Sequence, residues 1–155
     1  MSKTETKKDK MNIQQKLQGI QTELKAPKGQ TNKFGGYRYR SCEDILTALK
    51  PLLAQYACTL AISDEIVEVG GRVYVMATAT LASTSCEGDD AVSTSGFARE
   101  AETKKGMDDA QITGSASSYA RKYALNGLFA IDDTKDPDAT NDHGKSAPRK
   151  QVTQF

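Results

Sequence analysis

Apolar residues recur along this chain with two different periods, and the changes of period mark out its elements. Ile13, Leu17, Ile20 and Leu24 return every three or four positions, which predicts an amphipathic helix beginning near Met11 and ended by Pro27 and Gly29. A stripe that narrow docks on a core or on a neighbouring subunit. Residues 41–56 predict a second helix, with Ile45, Leu49, Leu52, Leu53 and Tyr56 on one face and Ser41 and Asp44 in a capping-box relation. Pro51 conflicts with it: lacking an N–H and clashing with the preceding turn, it predicts a kink near Lys50 or a helix that breaks and restarts. The period then shortens to two. Residues 57–69, 72–84 and 91–102 read as three strands, joined by Gly70-Gly71 and by a turn at Glu87-Gly88-Asp89-Asp90. In the second strand Val73, Val75, Ala77, Ala79 and Leu81 alternate against Tyr74, Met76, Thr78 and Thr80. The third is anchored by Val92 and Phe97, and Gly96 within it predicts a bulge.

The last periodic stretch, residues 106–129, is specified at both ends. Asp108 predicts an N-cap, Gln111 reaches back to it, Met107 and Ile112 fit a hydrophobic staple, and Asp109 adds favourable charge to the first turn. Asn126-Gly127 closes the helix, with Gly127 suited to a left-handed residue. At about 100° per residue, Ile112, Ala116, Tyr119, Ala120 and Tyr123 form the core-facing stripe, and Gly114, Ser117, Ser118, Arg121 and Lys122 lie opposite. That second face suits a polyanion backbone, because two cations stand among residues too small to block it. It equally suits a solvated helix end whose cations complement the dipole. The whole pattern predicts an α+β fold with a β-β-β-α core: a three-stranded antiparallel meander and a long helix, preceded by two helices and a short hairpin.

That hairpin is predicted at residues 33–40, where Gly35-Gly36 allows a tight turn before Tyr37, Arg38, Tyr39 and Arg40. Alternation places the tyrosines on one face of a strand and the arginines on the other. Single-stranded nucleic acid sites combine these residue types, stacking bases on rings and pairing phosphates with cations. The competing reading is a small hairpin whose tyrosines are core.

Composition narrows the functions. The 155 residues, 37% hydrophobic and 26% charged, suit one globular domain; the expected division is a flexible basic segment at 1–10, a domain at 11–135 and a flexible tail at 136–155. No run of about 18 apolar residues occurs, and the lysine-bearing start carries no apolar segment, so the expectation is a soluble, cytoplasmic chain without a membrane partner. The net charge of +1 conceals an asymmetry. Residues 1–40 hold ten lysines or arginines against three acids, whereas the remainder holds eleven against seventeen, an asymmetry that suits nucleic acid and equally a solvated lysine-rich tail without a partner. Cys42, Cys58 and Cys86 are odd in number and widely spaced, which predicts reduced thiols and neither a disulfide framework nor a zinc site.

Two motif-like stretches fail on inspection. Asp132, Asp133, Asp136 and Asp138 suggest a calcium loop, but Pro137 stands where its glycine belongs and His143 where its glutamate belongs. Gly144-Lys145-Ser146 resembles the end of a phosphate loop, yet Ala139 replaces its first glycine. His143 is the single histidine and lies in the tail, and no nucleophile pattern appears. The expectation is a binding protein with no cofactor.

The stretches YRYRSCEDI at 37–45, LKPLL at 49–53, GMDDAQ at 106–111, GSASSYARKYALNGLF at 114–129 and IDDTKDPDAT at 131–140 closely resemble the ERF (essential recombination function) family of phage single-strand annealing proteins. The resemblance covers residues 11–141. It implies membership of the Rad52-like annealing proteins, with ring or helical homo-oligomers and a positive groove that holds single-stranded DNA with its bases exposed. The positions matching the family's basic helix are Arg121 and Lys122, beside Ser117 and Ser118. Tyr37, Arg38, Tyr39 and Arg40 match its amino-terminal motif, and Lys104 and Lys105 add charge near the helix start. The implied activity is ATP-independent annealing of complementary strands in phage recombination, with a host single-strand-binding protein or a phage exonuclease as further partner. Two rivals stand beside it. One is a passive single-strand-binding protein; the other is a metal-dependent nuclease built on the Asp132 to Asp138 cluster. An OB-fold is disfavoured, since it needs five strands.

Overall fold

The computed structural model describes residues 7, 8, 10–84, 90–103 and 105–131, with the side chain of Tyr37 excepted. The predicted flexible start lies largely outside these residues. So do the turn at 87–89, Cys86, Lys104, the aspartate cluster at 132–138, Gly144-Lys145-Ser146, His143 and the tail at 136–155.

Within them the order is α1 (Ile13–Glu23), β1 (Gln30–Asn32), β2 (Tyr37–Tyr39), α2 (Cys42–Gln55), β3 (Cys58–Val69), β4 (Arg72–Ser83), β5 (Ala91–Arg99) and α3 (Asp109–Leu128). β1 and β2 form a separate antiparallel hairpin, and β3, β4 and β5 form a three-stranded antiparallel sheet with β4 at its centre. The α+β class and the β-β-β-α core are those expected.

All three helices begin with reciprocal capping boxes. Asp108 with Gln111 caps α3, Ser41 with Asp44 caps α2, and Asn12 with Gln15 caps α1. Each satisfies two backbone donors that a helix start leaves orphaned. The α1 box was not anticipated. Pro51 does not break α2, which is continuous from Cys42 to Gln55. The carbonyl deprived of its helical donor belongs to Thr47, which is exposed, so water can take the place of the missing bond.

β3 and β4 meet in the predicted two-residue turn, where Gly70 and Gly71 have φ of 59° and 75° and Val69 pairs with Arg72. Two successive positive φ values are what a tight hairpin with right-handed twist demands. β4 then buries Val75, Ala77, Ala79 and Leu81, while Val73 is exposed. These four residues share one hydrophobic core with α1, α2 and α3. On the other face of the sheet the hydroxyls of Thr78 and Ser95, and of Thr80 and Ser93, pair across strands at 2.8 and 2.7 Å.

Gly96 does not mark a bulge. The β4–β5 register runs unbroken from Tyr74↔Arg99 to Ala82↔Ala91. Instead α3 lies directly on it: a Cβ at Gly96 would come within 2.4 Å of the Ala124 nitrogen and 2.6 Å of the Ala120 carbonyl oxygen. This close seat corrects the predicted face of α3. The buried residues are Ile112, Ala116, Ala120, Ala124, Leu125 and Leu128, whereas Tyr119 and Tyr123 are exposed. No ring fits between a helix and a strand in backbone contact, so alanines occupy the seat.

The helix end differs as well. α3 runs through Gly127, and the left-handed residue is Ala130, with φ of 50°; the Ile131 amide donates back to the Asn126 carbonyl and closes the turn. Gly127 instead makes room for Thr94 of β5, whose Cγ2 would lie 2.9 Å from an added Cβ. α1 docks on the core of its own chain, and Gln21 donates to the Leu128 carbonyl at 2.9 Å. Lys16 of α1 is fully buried, its Nζ donating to Ser83 Oγ at 2.8 Å.

The Gly96 seat yields a stability prediction. Gly96→Ala forces α3 off β5 and should lower stability by about 1–3 kcal/mol, measured by thermal or urea unfolding. Gly29→Ala, in open space, should be close to neutral. Equal midpoints for the two variants would refute the close seat.

Candidate nucleic-acid interface

Seating the alanines of α3 on β5 sets the direction of every other side chain on that helix. One turn of about 100° per residue carries Ser117 and Arg121 toward β3, leaves Ser118 and Lys122 outward, and carries Tyr119 and Tyr123 to the opposite flank.

On the β3 side waits Asp64. It pairs in register with Ala77 of the buried row, so the two-residue period turns it toward the helix layer. Arg121 Nε donates to Asp64 Oδ1 at 3.1 Å and Oδ2 at 3.3 Å, and Nη2 donates to Oδ2 at 3.1 Å. Ser117 Oγ donates to the same carboxylate. Burial pushes the Asp64 carboxyl up, but the hydrogen bonds from Arg121 and Ser117 and the Arg121 charge outweigh it and hold the group below its ordinary range. The same bond raises the Arg121 value. A guanidinium has two edges for paired acceptors. Asp64 occupies the Nε–Nη2 edge.

Lys122 stands in a different setting. Its Nζ lies 5.8 Å from the centroid of the Tyr39 ring and 5.1 Å from that of Tyr119, within cation–π range. Burial, and then the charge of Arg40, hold the Lys122 ammonium below its ordinary value. The charges of both Arg121 and Lys122 act on the thiol of Cys42, the first residue of α2, though burial is the main effect there and raises it. The hairpin, the start of α2 and the outer face of α3 therefore converge on Lys122.

The residues proposed from sequence divide accordingly. Arg121, Lys122, Ser117 and Tyr39 come together, and Ser118 is exposed beside them. Arg38 is exposed, while Arg40, just past the end of β2, is 2% exposed and acts through its field more than through its surface. Tyr37 pairs through its backbone with Asn32. Lys105 is exposed before the helix start, and about 18 Å of helix separates Asp109 from Arg121, so Lys105 does not join the cluster. Lys104 lies outside the described residues.

Sequence reasoning missed Asp64, although an acid following Cys58, Leu60 and Ile62 on the inward register of β3 is a readable signal. It also missed Phe34, wholly exposed at the hairpin tip. Among the described residues, no cluster of His, Cys, Asp or Glu is placed to hold a metal, and no helix is long and apolar enough to cross a membrane.

The Asp64 pair predicts a pH dependence. Because the folded carboxyl titrates below its unfolded value of about 3.9, the pair contributes fully above that value and is lost as pH falls through the lower, folded one. Calorimetric melting of Asp64→Asn should therefore lose less midpoint than wild type between about pH 5 and about pH 3. Parallel curves would mean that the exchange with solvent cancels the pair, as it does for many exposed ones.

The profile of the ERF superfamily matches residues 13–154. The chain is 57% identical over 140 residues to the "Essential recombination function protein" of Salmonella phage P22, a match that covers 88% of this chain and 65% of the phage protein. This chain thus spans slightly less than two thirds of that relative's length. No solved structure matches. With the family profile reaching from α1 to beyond the last described residue, this chain belongs to the ERF superfamily.

Proposed function

We propose that this protein acts in phage recombination as an ATP-independent annealing protein, holding single-stranded DNA by its backbone and promoting the pairing of complementary strands. The observation that carries the reading is the convergence at Lys122: a cation of α3 sits between Tyr39 of the hairpin and Tyr119 of the helix, with Arg121 next to it. Cations among exposed rings bind strand backbones while tolerating any base sequence. The name of the phage P22 relative, 57% identical over 140 residues, supports the recombination role.

Annealing needs no nucleotide hydrolysis, because stacking in the product duplex supplies the driving force. What the protein adds is concentration: strands held extended on a homo-oligomer meet at raised effective concentration. The unit that does this is residues 11–135, in rings or helical filaments, and the tail at 136–155 is left for a single-strand-binding protein or an exonuclease.

The test is the rate at which two complementary oligonucleotides anneal without nucleotide or metal, wild type against Arg121→Ala/Lys122→Ala. Acceleration by wild type and its loss in a variant that still oligomerises is the expected result. Acceleration by neither protein would replace annealing with passive binding, and magnesium-dependent loss of the oligonucleotides would replace it with a nuclease. Binding should also weaken with salt at a log–log slope of roughly −3 per subunit if about four phosphates are neutralised.

A further inference from the structure

Two rings stand half in water on the flank of α3 away from β3. Tyr119 is 50% exposed and Tyr123 48%. Both line one open cavity of about 360 Å³, with Met107 and Ile112. The tyrosines are neighbours at i and i+4, with ring centroids 6.3 Å apart and planes tilted by 31°. At one end of the row Tyr119 touches Lys122, and beyond Lys122 lies Tyr39. The row is therefore continuous with the cations of α3.

We infer that Tyr119 and Tyr123 form a base-stacking platform for single-stranded DNA whose backbone is held by Lys122; the inference rests on the annealing reading and extends its site from the cations to the rings. The chemistry of the occupant follows from the two kinds of group present. Flat apolar faces beside a positive charge suit unpaired bases on a phosphate backbone. A second copy of this chain packed over the rings would have to bury Lys122 or supply it with a counter-charge. The 6.3 Å ring spacing is roughly twice the 3.4 Å advance per nucleotide of a duplex strand. Bases on successive tyrosines are thus drawn apart from each other. Their faces are covered and their pairing edges stay open, the condition in which a strand can be read by its complement.

Loss of the rings should change base dependence and leave phosphate dependence alone. The chain has six tyrosines and no tryptophan, so tyrosine emission reports directly on ring contacts. Full-length wild type is titrated with oligo-dT and with an abasic oligomer of equal length and equal phosphate count. The expected result is binding of oligo-dT at least about tenfold tighter than the abasic strand, with quenching of tyrosine emission. Tyr119→Ala/Tyr123→Ala should lose most of that preference while keeping the log–log salt slope. Tyr119→Phe/Tyr123→Phe, which keeps both rings, should restore the preference with a smaller quench, that of Tyr39. A preference that survives in the alanine pair overturns the platform. So does wild type that binds both strands equally, although the annealing reading then stands. Dissociation of the alanine pair to smaller species in sedimentation, with its base preference intact, would show that a second copy covers the rings. Wild type that binds neither strand removes the annealing reading itself and the platform with it.

Discussion

A single backbone contact determines what this fold presents to its surroundings. At Gly96 the strand β5 touches the backbone of α3 at Ala120 and Ala124, leaving no room for a Cβ. Close packing of this kind tolerates no intervening side chain, so the helix can seat itself only on its alanines. Ala116, Ala120 and Ala124 recur every four residues and are almost wholly buried. Once they face inward, rotation about the axis is fixed, and the rest of the outer surface follows. Ser117 and Arg121 meet β3, Lys122 meets the hairpin, and Tyr119 and Tyr123 remain in water.

The parts of this arrangement that could be read from sequence are those whose causes are local. Asp108 with Gln111 and Ser41 with Asp44 lie three residues apart, and each pair formed the expected capping box. Gly70-Gly71 formed the expected turn. The face of α3 could not be read this way, because tyrosine counts as more apolar than alanine until Gly96 of another element demands the smaller residue. Gly127 misled for a related reason: a glycine near a helix end suggests a left-handed cap, but here its missing side chain admits Thr94 and Ala130 takes the turn. The candidate site was half legible. Arg121, Lys122 and Tyr39 were named from composition and resemblance. Asp64, fifty-seven residues before Arg121, is tied to it only by sheet register and helix seating.

Asp64 changes the meaning of the cationic face. An arginine and a lysine side by side suggest two equivalent phosphate ligands, but the two are held differently. Arg121 is already paired with Asp64 through one edge of its guanidinium, which fixes the plane of the group. Lys122 has no carboxylate against it in the contacts described; its neighbours are two rings and the charge of Arg40. The first is an oriented donor, and the second has no carboxylate against it among the described residues.

That difference bears on where a polyanion gains most. An ammonium in open water is well solvated, and an incoming phosphate displaces much of that solvation for a modest return. Lys122 has already lost part of its hydration on folding, and Arg40 disfavours its charge further; both effects lower its proton affinity. An anion placed beside it offsets a cost that the folded chain has already incurred, and it interacts where solvent screens less. If Lys122 holds a phosphate as proposed, the attraction there should exceed that at an exposed lysine such as Lys105, although both carry the same formal charge. The cost is met by the packing of three elements around one side chain, so the anion site proposed at Lys122 would depend as much on the β1–β2 hairpin and the start of α2 as on the helix that bears it.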